Sequence, residues 1–205
     1  MLYLVGYINF VRFTDFIRRI FMNNMYIKNK SSLNIVIIGF MGTGKSTVSD
    51  CLEKMTVMEK IDSDSYIVER YGMEISDIFE KYGENHFREL ETEAVAEIAS
   101  KESVIVSCGG GVPLREKNAE LLKANGVVVL LKAGPKVILE RVKDSDSRPI
   151  LNNNMNADFI KSLMDKRADK YNSAADIIVD TDNKSVKEVC DEIIRRISDF
   201  KFENK

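Results

Sequence analysis

The sequence predicts an α/β fold in which helices cover both faces of a parallel sheet. Apolar, β-branched runs of strand length alternate along the chain with segments of helical periodicity, and this alternation is typical of parallel sheets. The chain has 205 residues with 44% hydrophobic content, which suits one such domain. Right-handed crossovers bring the carboxyl ends of the strands to one edge of the sheet, where ligands bind in folds of this kind.

Five segments are predicted as strands, and most read as buried on both faces because their interiors are continuously apolar. The predicted strands are 34–38, 60–62, 103–107, 127–131 and 177–179. The helical patterns that lie between and after them cover 47–55, 64–69, 76–81, 88–100, 117–124, 135–142, 158–166 and 185–197.

A phosphate-binding motif, G-x-x-x-x-G-K-[ST], runs from Gly39 to Ser46 between the first strand and the first helix. Glycines let the main chain curl around an anion, and the helix N-terminus adds its positive dipole end. Lys45 can then reach the β- and γ-phosphates of a nucleotide, and the Ser46 hydroxyl can ligate Mg²⁺. Because a strand precedes the motif and a helix follows it, the sequence predicts a nucleoside triphosphate site.

Two acidic side chains follow the second strand in the run Asp62-Ser63-Asp64. A metal–phosphate site needs carboxylates near the metal ion and near the attacking hydroxyl, and aspartates at i and i+2 can serve both. The alternative is that Asp64 only caps the following helix. Since Gly39, Asp62 and Gly109 each follow a predicted strand, we expect all three at one crevice.

Arg88 and Glu91 lie on one helix face at i, i+3 spacing, so the acid can hold the guanidinium ready for an anion. The alternative is a surface ion pair that contributes ~0–1 kcal/mol. Three consecutive glycines at 109–111 directly follow a buried strand, where they contribute no packing. This glycine triplet predicts a close approach of a ligand to the backbone.

The later part of the chain supplies further arginines. Arg141 and Arg148 flank a polar stretch that we interpret as part of a mobile lid at about 143–157. Arginines on such a loop suit closure over phosphates, although solvated loop charges are the alternative. Arg167 and Tyr171 lie one turn apart near the end of a predicted helix.

Together these motifs resemble the shikimate kinase family over about 33–181. The matching motifs are Gly-Phe-Met-Gly-Thr-Gly-Lys-Ser-Thr, Asp-x-Asp, Gly-Glu-x-x-Phe-Arg-x-x-Glu, Gly-Gly-Gly, Arg-Pro-Ile-Leu and Arg-x-x-x-Tyr. The resemblance implies a three-layer P-loop kinase fold with a five-stranded parallel sheet flanked by helices, plus a mobile lid. It also implies transfer of the γ-phosphoryl group of ATP to the 3-hydroxyl of shikimate, on the route to chorismate and the aromatic amino acids.

On the nucleotide side, the resemblance assigns phosphate binding to Gly42, Thr43, Gly44, Lys45, Ser46 and Thr47. It implies Mg²⁺ as the cofactor, with Ser46 on the ion and Asp62 reaching it through water. Arg148 is expected to close with the lid onto ATP and the transferring phosphoryl group. Arg141 is expected near the adenine.

On the acceptor side, the resemblance implies that Arg88 and Arg167 clamp the shikimate carboxylate and that Glu91 orients Arg88. The backbone of Gly110 is expected to bond a ring hydroxyl. Asp64 is expected to orient the attacking hydroxyl and to accept its proton. Lys45, Asp64 and Arg148 are therefore the predicted catalytic residues.

Three other functions stay open at this point. A kinase for another small polyol acid, such as gluconate, shares the loop and the lid but predicts other residues at Asp64, Arg88 and the glycine triplet. A nucleoside monophosphate kinase requires a base-reading pocket, for which no motif is visible. A non-catalytic ATP-binding regulator would usually have lost Lys45 or a pocket arginine.

Composition bounds the remaining expectations. A net charge of −2 without a basic stripe gives no reason to expect nucleic acid. Three widely spaced cysteines, with no CxxC, indicate reduced thiols in a cytoplasmic protein, which we expect to be monomeric. Residues 1–31 contain no apolar run of membrane-spanning length and are interpreted as a dispensable extension, with Met22 and Met25 as alternative starts. The catalytic domain is expected at 32–205.

Overall fold

A computed structural model of the chain describes residues 33–143 and 156–200. Within them the strands are β1 Asn34–Gly39, β2 Glu59–Asp62, β3 Val104–Ser107, β4 Gly126–Lys132 and β5 Ile177–Asp180. The helices of these ranges are α1 Lys45–Met55, α2 Ser63–Tyr71, α3 Ile75–Ala99, α4 Glu116–Ala124, α5 Pro135–Val142, α6 Ala157–Ala174 and α7 Val186–Asp199, with a 3₁₀ helix at Val112–Leu114.

The five strands form one all-parallel sheet in the order β2-β3-β1-β4-β5. Every residue of the central strand β1 is buried, as its apolar sequence predicts. The edge strand β5 instead alternates buried and exposed residues, because only one of its faces is covered. The predicted five-stranded parallel α/β fold is confirmed.

Helices flank this sheet in layers. Helix α1 packs against α7, and α4 packs against both α3 and α6. Ile37 and Ile38 of β1 have no exposed surface. Because successive side chains of a strand point to opposite faces of the sheet, both faces are covered at β1. None of the helices in the two described ranges is long and apolar enough to span a membrane.

Helix α3 is interrupted where the sequence predicts a gap. The sequence pattern predicts two helices, at 76–81 and 88–100, and the helical stretch Ile75–Ala99 has a kink at Gly83, between the two. Gly83 has φ 80° and ψ 171°, a conformation that is open essentially to glycine alone. The kink sets the direction of the second half of α3, on which Arg88 lies.

Candidate active site

Three of the predicted motifs follow the ends of neighbouring strands. In the parallel register, Ile37 of β1 and Asp62 of β2 both pair with Ser107 of β3. The phosphate-binding loop, the acidic pair and the glycine triplet therefore start next to one another at the carboxyl edge of the sheet. The expected convergence of Gly39, Asp62 and Gly109 is confirmed.

The phosphate-binding loop has the curled backbone that its glycines predict. Gly42 and Gly44 have φ 77° and 92°, and α1 begins at Lys45 directly after the loop. Lys45 Nζ donates to the main-chain oxygens of Gly39 at 2.9 Å and of Phe40 at 3.1 Å. The Thr43 hydroxyl donates to the same Phe40 oxygen at 2.8 Å. These bonds hold the loop in shape around the start of the helix.

A cavity of about 430 Å³ opens beside this loop. Its lining consists of Gly42, Thr43, Gly44, Lys45, Ser46, Thr47, Val48, Arg141, Thr181, Lys184, Val186 and Val189. All six residues predicted to bind phosphate and Arg141 thus share one cavity. Its volume falls within the range of small-molecule sites.

Arg141 is fixed at the wall of this cavity by Thr181. Its guanidinium donates to Thr181 Oγ1 at 3.1 Å and to the Thr181 carbonyl at 3.2 Å, and also approaches the Gly42 carbonyl at 3.4 Å. The sequence reasoning missed Thr181 and Lys184 as lining residues. The available signal was their position just after β5, since the ends of parallel strands share one edge of the sheet.

Asp62, rather than Asp64, caps helix α2. Its Oδ1 accepts from the N–H groups of Asp64 at 3.1 Å and Ser65 at 3.2 Å. The alternative reading of Asp64 as the cap is therefore wrong, because the helix starts one residue earlier, at Ser63. Both cap bonds use Oδ1, so among the described residues Asp62 Oδ2 remains available to water or to a metal ion.

The half-buried Asp64 carboxylate lies against the glycine triplet. A Cβ atom built on Gly109 would overlap Asp64 Oδ1. Burial is the main reason that the pKa of Asp64 is raised, and the negative charge of Asp62 adds to it, while Lys45 and Arg88 act in the opposite direction. The charges of the phosphate loop and of the helix α3 arginine therefore both act on this carboxylate.

Arg88 lies against the third glycine of the triplet. A Cβ atom built on Gly111 would overlap its guanidinium. Arg88 donates from one terminal nitrogen to Glu91 Oε1 at 2.9 Å, and from Nε and the other terminal nitrogen to Glu84 Oε1 at 3.3 and 3.2 Å. Only 1% of Glu91 is exposed, so the alternative of a surface ion pair is wrong.

The middle glycine of the triplet differs from its neighbours. A Cβ atom on Gly110 would have Tyr171 Oη as its nearest neighbour, at 3.7 Å. The Asp64 and Arg88 side chains therefore occupy the space beside two of the three glycines. Among the three Cβ positions, only that of Gly110 has no contact shorter than 3.7 Å, so it is the one with room for a ligand atom.

Helix α6 brings its two predicted residues to the same place. The Arg167 guanidinium lies over the Phe40 ring of the phosphate-binding loop, 5.6 Å from its centroid. One turn later, the Tyr171 hydroxyl donates to the Gly110 carbonyl at 2.6 Å. Helix α6 thus contacts both the phosphate-binding loop and the glycine triplet.

Two residues near the site take no part in it. Cys108 is buried, which raises the pKa of its thiol strongly and makes a thiolate nucleophile unfavourable. The single histidine, His86, is exposed on α3 and contacts the Tyr82 ring, with 5.0 Å between ring centroids. Arg148, most of the lid predicted at 143–157 and the extension 1–31 lie outside the described residues.

The donor set fits a magnesium–nucleotide complex better than a free metal ion. Across the described ranges, no group of three or more His, Cys, Asp or Glu side chains could hold a metal. The exposed Ser46 hydroxyl and Asp62 Oδ2 are hard oxygen donors, which suit Mg²⁺. Mg²⁺ usually takes one or two protein ligands and completes its shell with phosphates and water.

Comparison with known proteins identifies a family for this chain. The family model for shikimate kinase matches residues 41–198. A shikimate kinase of Geobacter sulfurreducens is 44% identical over 160 residues, which cover 78% of this chain and 88% of that relative. One from Thermodesulfovibrio yellowstonii is 41% identical over 162 residues, covering 79% of this chain and 93% of the relative.

Solved structures give the same result. A shikimate kinase from Acinetobacter baumannii in complex with shikimate aligns with a TM-score of 0.77 and 29% identity, over 88% of this chain and 99% of that one. A shikimate kinase from Aquifex aeolicus has a TM-score of 0.70 and 38% identity, over 81% and 96%. A gluconokinase from Sinorhizobium meliloti, at 16% identity and a TM-score of 0.53, shares the fold alone.

Proposed function

This chain belongs to the shikimate kinase family and is an enzyme that phosphorylates shikimate with ATP, and we propose that the crevice between the phosphate-binding loop and the glycine triplet is where the transfer occurs. The observation that carries this proposal is the arrangement around the triplet. The Asp64 and Arg88 side chains lie against Gly109 and Gly111, while the space beside Gly110, between them, has room for a ligand atom. The Asp64 carboxylate, the Arg88 guanidinium and the Gly110 backbone thus lie around one small volume, and this combination suits a hydroxylated acid.

On the nucleotide side, we propose that Gly42, Thr43, Gly44, Lys45, Ser46 and Thr47 bind the phosphates of ATP. Arg141, fixed by Thr181, lies at the cavity wall where the adenine is expected. Ser46 and, through water, Asp62 would hold Mg²⁺. When bound, that ion neutralises charge on the β- and γ-phosphates.

On the acceptor side, we propose that Arg88 and Arg167 bind the shikimate carboxylate, because guanidinium forks match a carboxylate with paired hydrogen bonds. The two arginines have different supports. Glu91 and Glu84 hold Arg88 from one side, whereas the Phe40 ring lies under Arg167. Each guanidinium therefore loses little further freedom when the acid binds.

Asp64 is proposed to orient the attacking 3-hydroxyl and to accept its proton. Its raised pKa makes it a better proton acceptor than an exposed aspartate. Lys45, which bonds the loop carbonyls, is proposed to reach the transferring phosphate. Positioning and neutralisation of charge supply most of the catalysis in this kind of reaction.

Several finer proposals rest on the family and on the motifs. Arg148 is proposed to close over ATP with a lid at about 143–157. The catalytic domain is proposed to be 32–205, with 1–31 dispensable for activity. We further propose a cytoplasmic monomer whose partners are its small-molecule substrates and not nucleic acid.

Replacing Gly110 by alanine tests the site directly. The protein itself has room for the added methyl group, so the melting temperature should stay at the wild-type value. The methyl group would occupy the space of the acceptor acid, so the KM for shikimate should rise roughly 10-fold or more, with the KM for ATP unchanged. The measurement is steady-state kinetics with each substrate varied in turn.

The neighbouring Gly109→Ala variant serves as a contrast. Its methyl group displaces the Asp64 carboxylate, so kcat rather than the KM for shikimate should fall. If Gly110→Ala leaves the KM for shikimate at the wild-type value, the acceptor does not approach this backbone and the proposed site is wrong.

A further inference from the structure

Only some of the main-chain N–H and C=O groups of the glycine triplet have a hydrogen-bond partner among the described residues. The carbonyl of Gly109 accepts from the N–H of Val112 at 3.1 Å, and the carbonyl of Gly111 accepts from the N–H of Leu114 at 3.0 Å. Both donors belong to the 3₁₀ helix that follows the triplet. Among the described residues, no acceptor bonds the N–H groups of Gly110 and Gly111. Two adjacent N–H groups are therefore available to an oxygen atom of a ligand.

Two side chains from opposite sides hold the rest of the triplet. The Ser63 hydroxyl, with no exposed surface, accepts from the N–H of Gly109 at 2.8 Å. Ser63 is the middle residue of Asp62-Ser63-Asp64. Its side chain is buried, whereas the two aspartates on either side are only partly buried. It ties the turn that carries Asp64 to the first glycine.

Tyr171 holds the triplet from helix α6. Only 5% of this residue is exposed, and its hydroxyl donates to the Gly110 carbonyl at 2.6 Å. Burial raises the pKa of the Tyr171 hydroxyl, so it keeps the proton that it donates. The carbonyl of Gly110 belongs to the same peptide group as the N–H of Gly111. A donor on this oxygen polarises that peptide and strengthens its N–H as a donor.

We propose that Ser63 and Tyr171 are positioning residues that clamp the glycine triplet from two sides and hold the N–H groups of Gly110 and Gly111 toward the acceptor acid. This inference rests on the proposed function, because it assigns these N–H groups to shikimate binding. Neither side chain touches the acceptor in this account. Ser63 acts through its bond to the N–H of Gly109, and Tyr171 acts through its bond to the carbonyl of Gly110.

The effect should appear in acceptor binding and not in nucleotide binding. We expect Tyr171→Phe and Ser63→Ala each to raise the KM for shikimate roughly 5- to 50-fold, with kcat and the KM for ATP within about twofold of wild type. Because both bonds restrain the same turn, the double variant should raise that KM by less than the product of the single effects.

Matched controls separate this role from general stability. Tyr66→Phe removes a hydroxyl that donates to Glu97 at 2.9 Å, away from the triplet. Ser49→Ala removes a hydroxyl that, like that of Ser63, has no exposed surface, but that has no partner among the described residues. Both controls should keep the wild-type KM for shikimate.

A spectroscopic readout tests the clamp without turnover. In the free protein, the amide proton signal of Gly111 should move upfield in Tyr171→Phe, because its peptide loses a donor, and should stay in place in Tyr66→Phe. An unmoved signal, or a KM for shikimate in Tyr171→Phe equal to that of Tyr66→Phe, overturns the inference. Failure of the wild-type protein to phosphorylate shikimate instead overturns the proposed function, while the amide signal still decides whether Tyr171 polarises the turn.

Discussion

Arg88 shows how one residue couples a proposed anion site to the stability of the fold. Its guanidinium is the hydrogen-bond partner of Glu91, whose side chain is buried with only 1% of its surface exposed. Burial raises the pKa of Glu91, and the Arg88 charge partly offsets this. Removing the arginine therefore leaves a carboxylate buried without its partner, in addition to removing the proposed clamp.

For this reason we expect Arg88→Ala to have two separable effects. Loss of the clamp should cost about 2–5 kcal/mol of transition-state stabilisation, which is roughly 30-fold to several thousandfold in kcat/KM for shikimate. The KM for ATP should hardly change. Adding Glu91→Gln should recover most of the lost melting temperature but none of the lost activity. A kcat/KM within about threefold of wild type would refute the assignment.

Asp64 gives a prediction about pH. Its pKa is higher in the folded protein than the ordinary aspartate value, mainly through burial. Above the folded pKa the ionised form therefore opposes folding, and this cost disappears as pH falls below the unfolded value of about 3.9. Asp64→Asn should thus raise the melting temperature at pH 7, abolish turnover, and lose its stability advantage as the pH approaches 4. Thermal unfolding of both proteins across this pH range measures the difference, and an Asp64→Asn variant less stable than wild type at pH 7 contradicts it.

At the scale of elements, helix α3 depends on its kink. Gly83 has a conformation that suits glycine, and no atom lies near a Cβ built there. Gly83→Ala should therefore lower the free energy of unfolding through backbone strain alone, by about 1–3 kcal/mol. It should also raise the KM for shikimate, because Arg88 lies beyond the kink.

Gly72, which ends α2, provides the matched control. It has φ 65° and ψ 26°, also with open space around its Cβ position, and this left-handed conformation is less restrictive. In denaturant unfolding, Gly83→Ala should lose more stability than Gly72→Ala. An equal or smaller loss would show that α3 straightens without cost.

The elements that the sequence predicts are those with a local signal. Continuous apolar runs predict the strands, and each motif at the end of a strand reaches the crevice, as the shared register of β1, β2 and β3 shows. The Gly83 kink falls in the gap between the two helices predicted at 76–81 and 88–100, but a glycine in a helical pattern does not reveal how soon the helix resumes beyond it.

The residues that the sequence left without a role have hydrogen-bond partners far away in the chain. Ser63 bonds a glycine 46 positions later, Tyr171 bonds one 61 positions earlier, and Thr181 bonds an arginine 40 positions earlier. A hydroxyl group carries no sequence pattern that identifies such a partner. Topology is needed to bring the two groups together.

At the scale of the whole molecule, the strand order separates donor from acceptor. The acidic pair and the triplet follow β2 and β3 on one side of β1, whereas Arg141 and Thr181 follow β4 and β5 on the other. The phosphate-binding loop after β1 lies between them. The proposed nucleotide and acceptor sites therefore lie on opposite sides of this loop.

The most direct test of this account is the release of ADP by the purified protein with ATP and Mg²⁺, measured against shikimate, gluconate and a nucleoside monophosphate at matched concentrations. We predict turnover with shikimate, at most background rates with the other two acceptors, and loss of the shikimate rate in Lys45→Ala. Faster turnover with gluconate or with the nucleoside monophosphate than with shikimate would contradict the account.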